Sequence, residues 1–355
     1  MPDWLHLDGA FSRLGHEADG AAEIGVLARL AARNRDQAGE LLDAGASAAQ
    51  VTALLSAVND RITRRILALI AHDFRLPPAS WCWLAFGSEG RDEQTLVTDQ
   101  DNGLVFSAAN DGEARALRER FLPFAAAVNQ ALASCGFRLC SGNIMAGNPA
   151  WCLSLDEWKE RFFNWIRTPD PEALLNASIF FDFRPLDGDT ALADALAAHL
   201  AALAPGNDAF LRMMAANALA VEPPIGRLRD FVTEADTLDL KKFGSRLFVD
   251  AIRILALAHG IANAATNERL RLLAPRLHLP PAALADYLEA FHALQAFRLA
   301  AQRAALDDVD NMEASAANRL APNSLGDYQR RRLLDALKQA RQLQGLLKHS
   351  LRLDQ

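Results

Sequence analysis

The stretch Leu84–Phe106, LAFGSEGRDEQTLVTDQDNGLVF, decides how this chain is read. An apolar run, Trp81–Phe86, breaks into Gly87-Ser88, and eleven residues beyond Ser88 two aspartates, Asp99 and Asp101, stand at the head of a second apolar run. Read as a strand over Asp99–Phe106, this run places alternate side chains on one face. Both carboxylates then point the same way, about 6–7 Å apart at their Cα atoms. Two hard oxygen ligands opposite a Gly-Ser turn suit Mg²⁺ (or Mn²⁺) carrying a nucleoside triphosphate, and the pattern points to nucleotidyl transfer.

Each part of the pattern is weak alone. A Gly-Ser pair is common in any turn, and a DxD pair is frequent in solvated loops. The combination at this spacing, bounded by apolar strands on both sides, is specific. At the turn, Gly87 allows phosphate oxygens to approach the backbone, and the amides and hydroxyl of Ser88 can cradle them. Gly90 and Arg91 would then open a short helix or turn, with Arg91 placed to grip a phosphate bidentately. Glu93 and Gln94 either brace the loop or touch the nucleotide. A third carboxylate usually completes such a site. Asp182 is the candidate, since it lies inside the apolar run SIFFDFR (178–184), where an unpaired charge is costly. The competing reading of Asp182 is a salt bridge to Arg184.

Composition sets the outer limits. The chain has 355 residues, 51% of them hydrophobic, and a formal charge of −7. That length fits two or three domains, and the acidic balance argues against a general nucleic-acid binder. The basic run Arg330-Arg331-Arg332 reads more simply as a solvated helix face than as a phosphate site. No apolar stretch reaches the length that crosses a bilayer, and the N-terminus lacks a basic region leading into an apolar one. The expected location is therefore the cytoplasm. The four cysteines (Cys82, Cys135, Cys140, Cys152) form no CxxC pair. Cys82 reads as a reduced, buried thiol, and zinc ligation by the other three is the weaker alternative.

Residues 1–75 read as a helical arm, with Ala21–Arg35 and Ser47–Phe74 at helical spacing. The stripe Val51, Leu54, Leu55, Val58, Ile62, Ile66, Leu69, Ile70 serves either packing or the docking of a partner or second copy. Residues 76–205 read as the catalytic core: strands Ser80–Phe86, Asp99–Phe106, Phe137–Cys140 and Ser178–Arg184, with helices Glu113–Ser134, Asp156–Ile166 and Thr190–Leu203. Residues 206–355 read as a bundle of helices at Asp208–Ala220, Leu240–Ala264, Asn267–Arg276, Pro281–Ala305 and Leu325–Leu351, the last capped by Asn323-Ser324. The predicted class is α+β, a small mixed sheet with helices between a helical arm and a helical bundle.

The segment GSEGRDEQTLVTDQDNGLVF resembles the signature of a bacterial nucleotidyltransferase family whose members often carry CBS pairs or a cyclic-nucleotide-binding domain. That family is related to the N-terminal part of PII-protein uridylyltransferase, in the DNA polymerase β-like superfamily. The resemblance continues through Cys140–Ile166 and Ala177–Asp189 and, more loosely, the C-terminal bundle. It implies a polymerase β-like fold, with Gly87, Ser88, Asp99 and Asp101 as nucleotide and metal positions. It adds Arg91, Glu93, Gln94, Thr98 and Gln100 from the loop and supports Asp182 and Arg184 as lying near the site. In the bundle, which resembles that family's substrate-binding domain, Lys241, Arg253, Thr266 and Arg269 become candidate contacts to nucleotide or acceptor; helix packing and surface pairing are the competing reading of each. Neither a CBS pair nor a cyclic-nucleotide domain is recognised in this sequence, so any sensing is expected from residues 1–75 or from a partner.

The resulting expectation is transfer of UMP or AMP from a triphosphate to an acceptor hydroxyl, with a PII-like regulatory protein as the acceptor by analogy. The rivals are transfer to a small molecule and a nucleotide-binding regulator without turnover. A homodimer is compatible with the sequence.

Overall fold

The computed structural model describes residues 5–226, 230–306 and 316–353. It divides into two compact units: residues 1–46, 50–164 and 179–200 in the first, and 47–49, 165–178 and 201–355 in the second.

Three helices open the chain: α1 (Leu5–Gly20), α2 (Ile24–Asp43) and α3 (Ala48–Asp73). Most of the α3 stripe is spent on packing: Val51, Leu55, Val58, Ile62 and Ile66 are buried, while Leu54, Leu69 and Ile70 are half-buried. Next come β1 (Trp81–Phe86), a single turn of helix α4 (Gly87–Gly90), β2 (Asn102–Phe106), α5 (Asp111–Ser134), β3 (Cys152–Ser154), α6 (Leu155–Arg167), α7 (Pro171–Phe180), β4 (Phe183–Gly188) and α8 (Thr190–Leu203). The Asn110 side chain accepts from the Glu113 N–H (3.0 Å) and caps α5, which explains a start slightly earlier than expected.

The four strands form one mixed sheet in the order β3-β2-β1-β4. β1 is central and runs antiparallel to both β2 and β4, while β2 pairs in parallel with β3. WCWLAF is apolar throughout because both faces of β1 are covered. On one face Trp81 and Phe106, which oppose each other in register, pack on Phe121 and Phe124 of α5. On the other, Phe86 meets Trp158 of α6 and Phe180 of α7 with ring centroids 5.8 and 4.8 Å apart. Pro185 is tolerated in β4 because β4 is an edge strand.

Two expected strands differ. Phe137–Cys140 forms only a single parallel bridge, Arg138 to Asp99. SIFFDFR is half helix and half strand. Asp170 accepts the Ala173 N–H (2.7 Å) at the start of α7, which runs through Phe180. Extended pairing begins only at Phe183, where Phe86 becomes its partner. A short apolar run does not distinguish the two periods by itself.

The second unit contains α9 (Asp208–Leu219), β5 (Leu238–Asp239), α10 (Arg246–Ala258), α11 (Thr266–Arg276), α12 (Pro281–Leu306), β6 (Arg319–Leu320) and α13 (Asp327–Ser350). β5 pairs with β6, and α12 packs along α13. The single helix expected over Leu240–Ala264 is instead a wide turn at Lys241–Ser245 followed by α10. Asp239 Oδ1 accepts the N–H groups of both Lys241 and Lys242 at 2.9 Å, and the chain leaves α10 at Gly260 with φ +63°. The N-cap of α13 is Gly326, while Asn323 and Ser324 lie in a preceding 3₁₀ turn.

A buried amide hub joins α5 to β2. Asn129 Nδ2 donates to Gln100 Oε1 and Asn102 Oδ1, both at 2.9 Å, and Asn129 Oδ1 accepts the Gly147 N–H at 2.9 Å. Asn129→Ala strands several buried partners. The expected loss is about 2–4 kcal/mol of stability in urea unfolding; an unchanged midpoint would show that the hub contributes nothing.

Candidate active site

The site forms where β1 ends. Asp101 precedes β2 in an extended segment whose partners are irregular: the Phe86 N–H donates to the Asp101 carbonyl (2.8 Å) and the Gln100 N–H to Arg138 O (2.8 Å). The strand therefore starts at Asn102, not at Asp99. The alternation expected of a strand nonetheless persists through the lead-in. Gln100 and Asn102 turn to the α5 side, where they meet Asn129, and Asp99 and Asp101 take the opposite parity, half-buried.

Gly87 stands directly against Asp101. Its φ is +56°, and a Cβ there would lie 3.1 Å from Asp101 Oδ2. Only glycine meets both the left-handed backbone and the close carboxylate without strain. α4 begins at Gly87 rather than after it, and Arg91 caps its end. Gly90 is needed for packing, because a Cβ would fall 2.3 Å from the Asp182 carbonyl. Ser88 and Thr98 are half-buried, and Thr98 Oγ1 donates to Asp99 O at 3.4 Å.

Several expected contacts turn inward instead. Arg91 is committed to carboxylates rather than poised for phosphate: Nε meets Glu93 Oε2 at 2.8 Å and Nη1 meets Asp182 Oδ2 at 2.7 Å. Asp182 is fully buried and so pairs with Arg91, not with Arg184 as its alternative reading had it. Arg184 goes to Asp60 of α3 through both terminal nitrogens and to Asp92 at 2.9 Å. Glu93 and Gln94 are buried and brace the loop, Gln94 Oε1 accepting from Asn59 Nδ2 at 3.1 Å. Gln100 is buried, with Nε2 donating to the Asn129 and Phe137 carbonyls. These side chains support the loop and leave Ser88, Thr98, Asp99 and Asp101 as its partly open polar groups.

In the second unit Lys241 is exposed. Arg253, Thr266 and Arg269 are buried: Arg253 pairs with Asp250 at 2.7 Å, and Arg269 donates to the Asn263 carbonyl. They pack that unit's interior.

Two residues lie beside these groups that the sequence did not assign to them: Glu89, and Cys140, which it offered only as an alternative zinc ligand. Glu89 is buried on α4, and its carboxyl is pushed up to about 8, chiefly by burial, then by Asp60, with Asp101 and Asp92 adding and Arg184 opposing. Cys140 is half-buried, bonds to the Asp101 carboxylate, and has its thiol pushed up to about 11, mainly by burial and by that carboxylate. The adjacency of Glu89 to Ser88 was the only available signal. Nothing in the sequence linked Cys140 to Asp101.

Among the described residues no three His, Cys, Asp or Glu side chains cluster to hold a metal ion. Mg²⁺ commonly takes one or two carboxylates and completes its shell with water and phosphate oxygens. Asp101, whose carboxylate faces the glycine turn at Gly87, and half-buried Asp99 are the carboxylates that would meet a divalent ion arriving with a triphosphate.

Residues 32–172 match the family described as Putative nucleotidyltransferase DUF294, and residues 208–351 match its Putative nucleotidyltransferase substrate binding domain. The chain belongs to this nucleotidyltransferase family. The mixed sheet flanked by helices agrees with the polymerase β-like core expected of it. No curated protein matches the sequence. Among the described residues, no helix of this nucleotidyltransferase is long and apolar enough to cross a membrane.

Glu89 provides a pH test of the site. Its folded value lies above the ordinary 4.5, so the folded state holds a proton that the unfolded chain releases. Stability from this group is full below about 4.5 and is lost as pH rises toward 8. In thermal unfolding between pH 5 and pH 8, the wild type should lose more stability than Glu89→Gln. Parallel losses in the two proteins would contradict the assignment.

Proposed function

We propose that this protein transfers a nucleoside monophosphate, UMP or AMP, from its triphosphate to an acceptor hydroxyl, using Mg²⁺ or Mn²⁺. The observation that carries the reading is the facing of Gly87 and the Asp101 carboxylate, 3.1 Å from where a Cβ would sit, with Ser88 adjoining the turn and Asp99, half-buried, two residues before Asp101. When bound, the divalent ion would neutralise phosphate charge and stabilise the departing pyrophosphate. Asp99 and Asp101 would hold it, and the Ser88 hydroxyl and adjoining amides would orient the phosphates. The incoming acceptor hydroxyl attacks the α-phosphorus in line. The proton it gives up passes to a carboxylate at the site, for which Asp101, the ligand nearest the turn, is the first candidate. Asp182, sealed against Arg91, is assigned to holding the loop rather than to metal.

The match to a substrate-binding domain supports acceptor recognition by the second unit. The resemblance to PII uridylyltransferase supports a small regulatory protein as acceptor and hence a part in signal transduction; the location that goes with it is the cytoplasm.

The test incubates purified protein and lysate with each labelled triphosphate and Mg²⁺, beside the Asp99→Asn/Asp101→Asn double variant. A labelled acceptor or released pyrophosphate is expected for the wild type, with turnover at least 100-fold lower in the variant. Binding without turnover across acceptors would favour a nucleotide-sensing regulator, and activity that survives in the variant would exclude these aspartates as the metal ligands.

A further inference from the structure

Two adjacent residues of α3 hold the loop between Glu89 and Gln94 at both ends. Asp60, 7% exposed, takes both terminal nitrogens of Arg184, Nη1 to Oδ2 at 2.8 Å and Nη2 to Oδ1 at 2.7 Å. From β4, Arg184 also reaches Asp92 at 2.9 Å and donates Nε to the Glu89 carbonyl at 3.1 Å. One residue earlier, Asn59 donates to Gln94 Oε1 at 3.1 Å and accepts from Asn34 Nδ2 of α2 at 2.9 Å. The loop's own hydrogen bonds lie between these anchors: Arg91 N–H to Gly87 O (3.1 Å), Asp92 N–H to Glu89 O (3.2 Å) and Glu93 N–H to Ser88 O (2.9 Å).

A buried ion pair is poor value as stabilisation, because taking both charges out of water offsets most of their attraction. What a bidentate guanidinium–carboxylate pair supplies is orientation, and a lysine, with a single charged point, does not reproduce it. Here the fork fixes β4 to α3 while its remaining bonds fix Glu89 and Asp92. Glu89 follows Ser88 directly and shares the helical turn of Gly87.

We propose that Arg184 and Asp60 are positioning residues for nucleotidyl transfer, their paired fork holding the Glu89–Gln94 loop so that Gly87 and Ser88 keep their place opposite Asp101. The N-terminal helices thereby set the geometry of the site without touching the reacting atoms. The proposal rests on the transferase reading given above.

The experiment uses the full chain with Arg184→Lys, Asp60→Asn and the double variant. Hydrogen exchange without nucleotide should show protection of the Arg91, Asp92 and Glu93 amides falling about tenfold or more, with β1 and β2 unchanged. With the nucleotide and acceptor that turn over, kcat should fall on the order of 100-fold, KM should change little, and the double variant should be no worse than the poorer single one. Unchanged protection at residues 91–93 overturns the proposal. So does a loss shared equally by β1 and β2, which would mark a general packing role. The exchange result requires no turnover, so a wild type without transferase activity would refute the transferase reading and leave the brace itself tested.

Discussion

The amide of Asn129 sets the parity on which the site depends. By holding Gln100 and Asn102 together on the α5 side of the sheet, it assigns the residues between and before them to the other side. Asp101 thus faces the Gly87 turn even though it precedes β2. A slip of one residue would bury both carboxylates against α5 and present two amides to the nucleotide. The Phe86-to-Asp101 backbone bond then sets the distance from this face to the Gly87 turn.

Burial pushes the Glu89 carboxyl up, and the charges behind the loop add to that push. Asp60, Asp92, Glu93 and Asp182 share Arg91 and Arg184, with Arg64 reaching Asp60 at 3.4 Å from the more exposed side. Positive charge is already committed there, so the neighbouring carboxylates reinforce the upward shift that burial gives the Glu89 carboxyl. The region is built from paired charges that orient the loop. Arginine is suited to that duty because its fork meets two acceptors at once, as Arg91 and Arg184 both do.

Much of this was legible in the sequence because it is local. The apolar run, the Gly-Ser break and the DxD spacing lie within about twenty residues of one another, and they identified β1, the turn and the carboxylate face. The helix Thr190–Leu203 was readable from its Ala/Leu-rich composition and from the Pro205-Gly206 break that follows it. The failures are non-local. Nothing near Asp182 indicates that its partner is Arg91, ninety-one residues earlier, or that Arg184 belongs to Asp60. Arg91 looked like a phosphate ligand because its sequence neighbours are polar, while its spatial neighbours are carboxylates. The SIFFDFR run failed for another reason: its apolar residues satisfy both periods, and the cap at Asp170 with the pairing partner at Phe86 decided the boundary. In the second unit Asp239 and Gly260 interrupt what composition presents as one continuous helix.

The central claim is that Asp99 and Asp101 form half of a metal site which a triphosphate completes. Mn²⁺ titration followed by electron paramagnetic resonance, with and without a non-hydrolysable triphosphate, tests it without knowledge of the acceptor. The account predicts that the signal of free Mn²⁺ is quenched by wild-type protein when the triphosphate is present, beyond what the triphosphate alone causes, and that Asp101→Asn abolishes the excess. Equal quenching by wild type and Asp101→Asn, or none beyond the triphosphate alone, would contradict it.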